Sequence, residues 1–260
     1  MSDSRWEAYF WPGTEVLRNK LGLVDPVSLR IAEYGLTADR QTEIDRGLAP
    51  IARSYDAVHL RAIHRHLFQD LYDWAGEHRT VDMRKGMTEF APTGWIDRYL
   101  ADAAHMIERT DWPGLDRDGF AAAAAAVYAH LNQAHPFREG NGRAAKVFLQ
   151  HVADRSAFTL DYERVEPPVW NQASELSGPD RGAYTPVPDS LVPVFAALAV
   201  PRTAPQRTDP DVDLGRSASR AAFPRPPSRA LEHPPGRIEP QASAVGYRGY
   251  GRDQAEGPQR

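Results

Sequence analysis

The stretch HPFREGNGR, residues 135–143, places a histidine, a carboxylate, two glycines and two arginines within nine positions. Pro136 disfavours helical geometry at the residue before it, so a helix that arrives from the N-terminal side should end near Ala134. The small residues around Gly140 and Gly142 suit the start of a second helix. The stretch is therefore predicted to be a loop that joins two helices and leads into the N-terminus of the second.

A helix N-terminus of this kind attracts anions, because its first backbone N–H groups have no intrahelical partners and the helix dipole is positive there. Gly140 and Gly142 let the backbone approach a phosphate closely, and Asn141 between them tolerates a left-handed conformation. Arg143, in the first turn, can add a bidentate contact to phosphate oxygens. The pattern indicates a phosphate site, although it lacks the sequence G-x-x-x-x-G-K-[ST] and no strand precedes it.

The other residues of the loop supply a base and a metal ligand. His135 at the loop entrance can act as general base toward an incoming hydroxyl group. Glu139 offers the hard oxygen donor that suits Mg²⁺, which commonly binds one or two carboxylates together with phosphates and water. Phe137 is interpreted as an apolar anchor and Arg138 as a residue that faces solvent. From these residues alone, a phosphate site and a purely structural Gly-Asn-Gly loop both stay open.

The composition is typical of a soluble protein, with 42% hydrophobic and 25% charged residues among 260. No cysteine is present, which excludes disulfides and thiolate metal sites. The sequence contains no apolar run of about 18 residues and its N-terminus does not resemble a secretory signal, so we predict a cytoplasmic protein with no membrane partner. Its aromatic residues are not interleaved with a basic patch, so we predict no nucleic-acid partner.

Apolar residues recur at helical spacing through most of residues 1–200. A helix is predicted for each of the stretches VHLRAIHRHLFQDLYDWAG, which Gly76 should end, WIDRYLADAAHMIER, DRDGFAAAAAAVYAHLNQAH, GRAAKVFLQHVADRSAF and VPDSLVPVFAALAV. The stretch RTVDMRKGMTEFAP is predicted to be extended, with Lys85-Gly86 as the turn of a short hairpin or flap. The predicted fold class is therefore all-α (mainly helical), with one short β-hairpin.

The composition changes near residue 200. Ten of the 22 prolines and ten arginines lie in residues 201–260, where neither a helical nor a strand period is visible. Such a segment cannot bury enough apolar surface to offset its conformational entropy. We therefore predict a disordered Pro/Arg-rich tail.

HPFREGNGR resembles the signature of the Fic family, H-x-F-x-[D/E]-G-N-G-R-x-x-R. Two more segments, YFWPGTEVLRNKLGL and IHRHLFQDLYDWAGEHRTVDMRKGMTEFAP, resemble the bacterial cell-filamentation-protein type within that family. The resemblance implies a compact helical bundle with a β-hairpin flap over the active site. On this basis we divide the chain into an N-terminal helical extension over residues 1–50, a Fic domain over residues 51–200 and the tail over residues 201–260.

The same resemblance implies that AMP passes from ATP to a Tyr, Thr or Ser hydroxyl of a target protein. It implies that His135 deprotonates that hydroxyl and that Glu139 holds Mg²⁺ on the phosphates. The residues implied to bind ATP are Gly140, Asn141, Gly142, Arg143, Lys146, Lys85 and Gly86. The residues implied to dock the target backbone as an added strand are Met87, Thr88, Glu89 and Phe90.

Lys146 departs from the family pattern, which has a second arginine at this position. In the family that arginine contacts the terminal phosphates of ATP and, where an inhibitory helix exists, its glutamate. Lysine keeps the positive charge but lacks the planar fork of arginine. We therefore expect phosphate binding at this position to be retained but weakened.

The inhibitory helix of the family carries the pattern [S/T]-x-x-x-E-[G/N]. Glutamate precedes Gly or Asn in this chain at Glu139 and Glu256, and the residues four positions earlier are His135 and Arg252. Neither site fits the pattern, so we predict that the chain has no inhibitory helix of its own. By analogy with the family, a toxin restrained by a separate small antitoxin protein is expected.

Other readings of the same residues stay open at this stage. A Fic-fold enzyme can use another donor, as a kinase or in UMP or phosphocholine transfer. A degenerate Fic domain weakened at Lys146 could instead serve as a binding module together with its tail.

Overall fold

The computed structural model describes residues 4–86 and 88–202, so the predicted tail lies almost entirely outside the described residues. In this part of the chain the α-helices are α1 (Ser4–Glu7), α2 (Pro26–Asp45), α3 (Ala57–Phe68), α4 (Ile96–Arg109), α5 (Arg117–Ala134), α6 (Asn141–Ala153), α7 (Pro167–Leu176) and α8 (Val192–Leu198). The strands are β1 (Arg84–Lys85), β2 (Thr88–Glu89), β3 (Phe158–Leu160) and β4 (Ala199–Pro201). The predicted fold class, all-α with a short hairpin, is confirmed.

Helix α5 lies at the centre of the bundle and packs against α4, α6 and α8. Its alanine run is largely buried, with Ala121 and Ala125 fully inaccessible, and such small side chains allow neighbouring helices to approach closely. Helix α3 packs against α6 on one side and against α2 on the other. The loop between α5 and α6 is therefore supported by packed helices at both ends. Among the described residues, no helix is both long and apolar enough to cross a membrane.

Aspartate side chains start three of the long helices. Asp25, Asp56 and Asp116 precede α2, α3 and α5, and each accepts a backbone N–H of the first turn, at 2.7, 3.1 and 2.8 Å. Such N-caps satisfy donors that have no intrahelical partner. The N-cap of α5 is Asp116, the residue directly before the helix.

The helix predicted up to Gly76 is wrong in its second half, because α3 ends at Phe68. The chain then turns back toward α3, and the Gly76 N–H donates to Nδ1 of the buried His64 at 2.8 Å. Gly76 has a φ of 82°, and a Cβ there would lie 2.8 Å from Cβ of Arg65. This glycine therefore permits a close approach of the returning chain to α3 instead of capping a helix.

Two further helices are shorter than predicted for a related reason. Helix α6 ends at Ala153 and α8 at Leu198, and the segments after them pair as the antiparallel strands β3 and β4, with Leu160 opposite Ala199. Tertiary pairing here overrides a local helical tendency. Helix α7 was not predicted from the sequence. The helices and strands do not test the predicted domain boundaries at residues 50/51 and 200/201. Both boundaries stay predictions.

The predicted flap is present as the antiparallel pair β1–β2, in which Arg84 lies opposite Glu89 and Lys85 opposite Thr88. Gly86 lies in the turn with a φ of 60°, whereas Lys85, which was also expected in the turn, belongs to β1. Met87, predicted to dock the target, lies outside the described residues. The hairpin lies between α3 and α4 in the chain. Its residues line the same cavity as those of the α5–α6 loop.

Candidate active site

The loop between α5 and α6 begins and ends with left-handed residues. Helix α5 ends at Ala134, and His135 follows with a φ of 39°, its N–H still donating to the Leu131 carbonyl at 3.1 Å. Gly140, with a φ of 80°, precedes α6. A Cβ at Gly140 would lie 2.2 Å from the Phe68 ring, so only glycine fits there. The predicted loop and the predicted start of the second helix are thus present.

His135 lies at one wall of a cavity, with the Phe90 ring of the flap stacked on its imidazole at a centroid distance of 3.6 Å. Burial lowers the pKa of His135 to about 3, and the nearby Arg79 guanidinium acts in the same direction. The imidazole is therefore neutral at physiological pH. A neutral imidazole can accept a proton from a hydroxyl group, which is what a general base requires.

Two side chains fix the backbone of this loop. His64 of α3 bonds through Nε2 to the Glu139 carbonyl at 2.9 Å, and its ring stacks on Phe137 at a centroid distance of 3.7 Å. The Asn141 side chain accepts the Phe137 N–H at 2.8 Å and donates to the Phe137 carbonyl at 2.7 Å. Phe137 is fully buried, as its predicted role as an anchor requires. The loop is therefore held rigidly in its observed conformation.

A buried arginine joins the flap to the same loop. The Arg79 guanidinium donates to the carbonyls of Val81 at 2.7 Å and His135 at 2.8 Å, and also to the Ala91 carbonyl. The backbone N–H of Arg79 donates to the Pro136 carbonyl at 2.7 Å. Val81 and Ala91 flank the flap, so Arg79 fixes the base of the hairpin relative to His135. No sequence motif pointed to this residue.

The cavity has a volume of about 750 Å³, which is in the range of nucleotide-sized ligand sites. The sequence-predicted site residues on its wall are His135, Glu139, Gly140, Asn141, Gly142, Lys85, Gly86, Thr88 and Phe90. Glu89 of the flap is exposed and is not part of the wall. The far end of the cavity is formed by α5 and α7, with Tyr128, Leu131, Asn132, Trp170, Asn171, Ser174 and Glu175. Sequence reasoning missed this end, because these positions form no motif.

Arg143 and Lys146, both predicted to bind phosphate, are not part of the cavity wall among the described residues. Arg143 lies on the other side of α6, where its guanidinium contacts Glu33 of α2. The Lys146 ammonium lies 4.9 Å from the ring centroid of Tyr162 and 5.1 Å from that of Trp170. Burial lowers the pKa of Lys146 to about 8. Neither side chain is part of the cavity wall, but each contacts a residue that is: Lys146 lies against Trp170, and Arg143 lies 3.5 Å from Glu139.

Arg138 was expected to face solvent, and this expectation is wrong. Its guanidinium lies 4.3, 5.8 and 5.0 Å from the ring centroids of Trp6, Tyr9 and Phe10. Burial under these rings lowers the pKa of Arg138. Arg138 and Trp6 both line the cavity, so the N-terminal aromatic segment covers one side of the loop.

The residues present fit a magnesium ion only together with a nucleotide. Glu139 is the carboxylate next to the glycines of the loop, and within the described ranges no cluster of three or more His, Cys, Asp or Glu could bind a metal by itself. Mg²⁺ typically takes one or two carboxylates and fills its other positions with phosphate oxygens and water. One carboxylate beside a phosphate-sized cup is compatible with that coordination.

Comparison with known proteins agrees with this geometry. The model of the Fic/DOC family matches residues 54–153. A protein of Escherichia coli (strain K12) named "Probable protein adenylyltransferase Fic" is 35% identical over 179 residues, which cover 67% of this chain and 88% of that protein. The "Protein adenylyltransferase VbhT" of Bartonella schoenbuchensis is 34% identical over 65% of this chain, and the match covers 35% of its own length.

Solved structures show the same fold. The BepC protein of Bartonella tribocorum, solved with bound AMPPNP, has a TM-score of 0.67 and 25% identity, and the match covers 76% of this chain and 98% of that one. The N-terminal Fic domain of a cell filamentation protein from Bartonella quintana, solved with bound ADP, has a TM-score of 0.65 and 27% identity, with coverage of 75% and 95%.

Proposed function

Because this chain belongs to the Fic/DOC family, we propose that it is a protein adenylyltransferase, which transfers AMP from ATP to a Tyr, Thr or Ser hydroxyl of a target protein. Relatives of similar length carry this activity in their names, and related structures hold ADP or AMPPNP. The observation that carries the proposal is the cavity in which neutral His135, the Gly140–Gly142 segment and the flap meet.

The reaction requires a hydroxyl oxygen to attack the α-phosphorus of ATP. The new P–O bond forms between the target oxygen and that phosphorus, the bond between the α-phosphorus and the bridging oxygen breaks, and pyrophosphate leaves. The hydroxyl proton passes to the neutral imidazole of His135. Positioning and electrostatic stabilisation account for most of the catalysis in chemistry of this type.

The phosphates are proposed to lie against the N-terminus of α6, beside Gly140, Asn141 and Gly142. Backbone N–H groups at this end of the helix and the positive end of its dipole stabilise the negative charge that the phosphates carry. Lys85 and Gly86 of the flap line the same cavity and can close over the phosphates. Glu139 would hold Mg²⁺, which would neutralise part of the phosphate charge when bound.

The target is proposed to dock on the flap as an added strand. The hairpin has only two strands, so its outer edges have backbone groups that can pair with an extended segment. Thr88, Glu89 and Phe90 belong to this docking segment, together with Met87. Since Phe90 stacks on His135, a segment paired with β2 would carry its hydroxyl side chain close to the base.

The base of the nucleotide is proposed to occupy the end of the cavity between α5 and α7. The rings of Tyr128 and Trp170 lie there with a centroid distance of 4.8 Å, and Asn171 and Glu175 offer polar groups at the rim. Aromatic surface with a few polar groups is typical of sites that recognise a flat heterocycle. This end has no counterpart in the motif from which the phosphate site was predicted.

Labelled ATP tests the proposed activity directly. The chain is incubated with ATP labelled on either the α- or the γ-phosphate and a cell lysate, and labelled proteins are detected after electrophoresis. Compared with lysate alone, we expect the added chain to produce new label from α-labelled ATP and no new label from γ-labelled ATP, and His135→Ala to produce neither. Label from the γ-phosphate alone would show a kinase instead, and label from another donor such as UTP or CDP-choline would change the donor.

We further propose that the protein acts in the cytoplasm, where ATP and its targets are available, as a toxin that a separate antitoxin restrains. Neither glutamate that precedes Gly or Asn in this chain fits the pattern [S/T]-x-x-x-E-[G/N], so the antitoxin would supply this helix in trans. Expression of the chain alone should slow growth, and His135→Ala should not. Equal growth of the two strains would contradict the toxin proposal without touching the enzymatic one.

A further inference from the structure

The arginine of the loop motif, Arg143, faces a second and smaller cavity on the opposite side of α6. This cavity has a volume of about 420 Å³ and is lined by Glu33 and Tyr72 as well as by Arg143. Glu139 lines both cavities and therefore stands between them. A residue of the second cavity that contacts Glu139 can therefore affect the first cavity without contacting a ligand bound there.

Glu33 holds Arg143 from the second cavity. Its Oε1 accepts from Nη2 of Arg143, and its Oε2 accepts from the Tyr72 hydroxyl. The side chains of Arg143 and Glu33 are each only 16% exposed, and the guanidinium also lies 4.6 Å from the ring centroid of Phe68. A largely buried guanidinium needs a carboxylate partner, because an uncompensated charge in such a place is costly. The orientation of Arg143 is therefore determined mainly by Glu33.

The same guanidinium nitrogen also approaches Glu139. Nη2 of Arg143 lies 3.5 Å from Oε1 of Glu139, a longer contact than the one it makes with Glu33. The Gly140 N–H donates to this same Oε1 at 2.9 Å. Both contacts fall on one oxygen, which restricts rotation of the carboxylate while Oε2 stays available to another ligand. Arg143 thus contacts two carboxylates, and its contact with Glu33 is the shorter of the two.

We infer that Glu33 is a positioning residue for AMP transfer: it keeps Arg143 turned toward α2, so that the Glu139 carboxylate keeps its charge and orientation for the metal ion of a metal–nucleotide substrate. If Glu33 were neutral, Glu139 would be the nearest carboxylate to the Arg143 guanidinium. A full ion pair between them would compete directly with a bound cation. The inference rests on the proposed function, since it concerns the role proposed for Glu139.

Glu33 belongs to α2, which lies before the residues matched by the family model, since that match begins at residue 54. Glu33 and Arg143 are 110 positions apart in the chain. The N-terminal helix is therefore inferred to take part in the site, although no residue of α2 lines the cavity that holds the nucleotide.

The test compares the wild type with Glu33→Gln, which keeps the size of the side chain and an acceptor for Tyr72 but removes the charge. Two quantities are measured against Mg²⁺ concentration: the rate of AMP transfer, and the affinity for ATP by calorimetry. We expect the Mg²⁺ concentration for the half-maximal effect to rise on the order of 10-fold, as for outer-sphere partners of metal ligands. ATP affinity in EDTA should stay unchanged.

Matched variants separate positioning from folding. Glu43→Gln removes another carboxylate of α2, one that pairs with Arg40 at 2.9 Å, and should leave the Mg²⁺ dependence unchanged. If Glu33→Gln folds poorly, Tyr72→Phe removes only the hydroxyl that Glu33 accepts and keeps the ring stacked on Trp74 at 4.4 Å. It should shift the Mg²⁺ dependence in the same direction, on the order of three-fold.

Two results would overturn the inference. One is an unchanged Mg²⁺ dependence in both Glu33→Gln and Tyr72→Phe. The other is faster AMP transfer by Glu33→Gln, which would make Glu33 a restraint on the enzyme instead of a support. A wild type that binds ATP with Mg²⁺ but transfers no AMP would contradict the proposed function alone, because the calorimetric comparison still tests the role of Glu33.

Discussion

At the scale of single residues, Lys146 is a position where this chain departs from the motif that it resembles. The lysine ammonium lies against the rings of Tyr162 and Trp170, and burial lowers its pKa to about 8. Below that pH the side chain is mostly charged, and above it mostly neutral. Arginine at the same position would stay charged at every pH in the working range of an enzyme.

This difference predicts a distinct pH profile. If Lys146 contributes charge to phosphate binding, kcat/KM for ATP should fall as the pH rises through about 8, because the free enzyme loses that charge. Lys146→Arg should bind ATP several-fold more tightly and should lack this alkaline fall. The profile is measured from initial rates between pH 6.5 and 9.5, with the exposed Lys20→Arg as control. Identical profiles and affinities for Lys146→Arg and the wild type would exclude a role of Lys146 in ATP binding.

At the scale of elements, the flap depends on Arg79. This side chain is fully buried and donates to carbonyls on both sides of the flap and to that of His135, so it couples the hairpin to the catalytic loop. Arg79→Lys keeps the charge but cannot reach all of these carbonyls from one ammonium. The carbonyls left without partners would each cost about 1–3 kcal/mol, and the flap should loosen.

We therefore expect Arg79→Lys to lower the rate of AMP transfer by at least about 10-fold, mainly through misplacement of the target hydroxyl. ATP affinity should change little, since Arg79 does not line the cavity. Hydrogen exchange of the flap amides should become faster. Arg117→Lys, which removes a similar contact with the Ala196 carbonyl far from the site, is the control. Slow exchange in the flap together with normal transfer by Arg79→Lys would contradict this role.

The sequence predicts a structural element well when the residues that determine its conformation lie within that element. The loop from His135 to the start of α6 is set by Pro136 and the glycines, so its place and conformation could be predicted. The contacts that hold it come from far away in the chain: His64 is 75 positions from Glu139, and Arg79 is 56 positions from His135. No local pattern signals such pairs.

Helix ends show the same limit. The apolar spacing after Phe68 still suits a helix, and a distant contact from His64 to Gly76 turns the chain instead. The alanines near Ala199 favour a helix, and pairing with β3 makes them a strand. The part of the cavity wall that α7 forms was likewise not predicted from the sequence. Its residues form no motif, and only the folded structure brings them to the cavity.

At the scale of the whole molecule, buried neutral histidines join α3 to its neighbours. His59 accepts the Tyr55 N–H at its Nδ1, so its proton is on Nε2, which lies 2.9 Å from Nδ1 of His151 in α6. Burial lowers the pKa of both histidines to about 4, and the positive charge of Arg53 acts in the same direction. Burial also lowers the pKa of His64 to about 3. Contacts made by these buried imidazoles therefore stabilise the bundle only while the imidazoles are unprotonated.

These shifts predict that the folded state is sensitive to acid. A histidine with a folded pKa near 4 and an unfolded pKa near 6.5 takes up a proton on unfolding between those values, so stability is full above pH 6.5 and falls as the pH decreases toward 4. Each such proton contributes a slope of up to about 1.4 kcal/mol per pH unit. The free energy of unfolding, measured with urea at steps between pH 7.5 and 5 without nucleotide, should follow this course.

A variant that removes one titrating group isolates the contribution of the pair. His151→Gln offers a side-chain carbonyl to the Nε2–H of His59, so the contact between α3 and α6 can persist without the ionisable ring. Its stability should decrease less steeply with acid than that of the wild type, by the slope of one proton. The exposed His105→Gln should keep the wild-type slope. Parallel curves for His151→Gln and the wild type would mean that acid unfolds the bundle through its carboxylates and not through this buried pair.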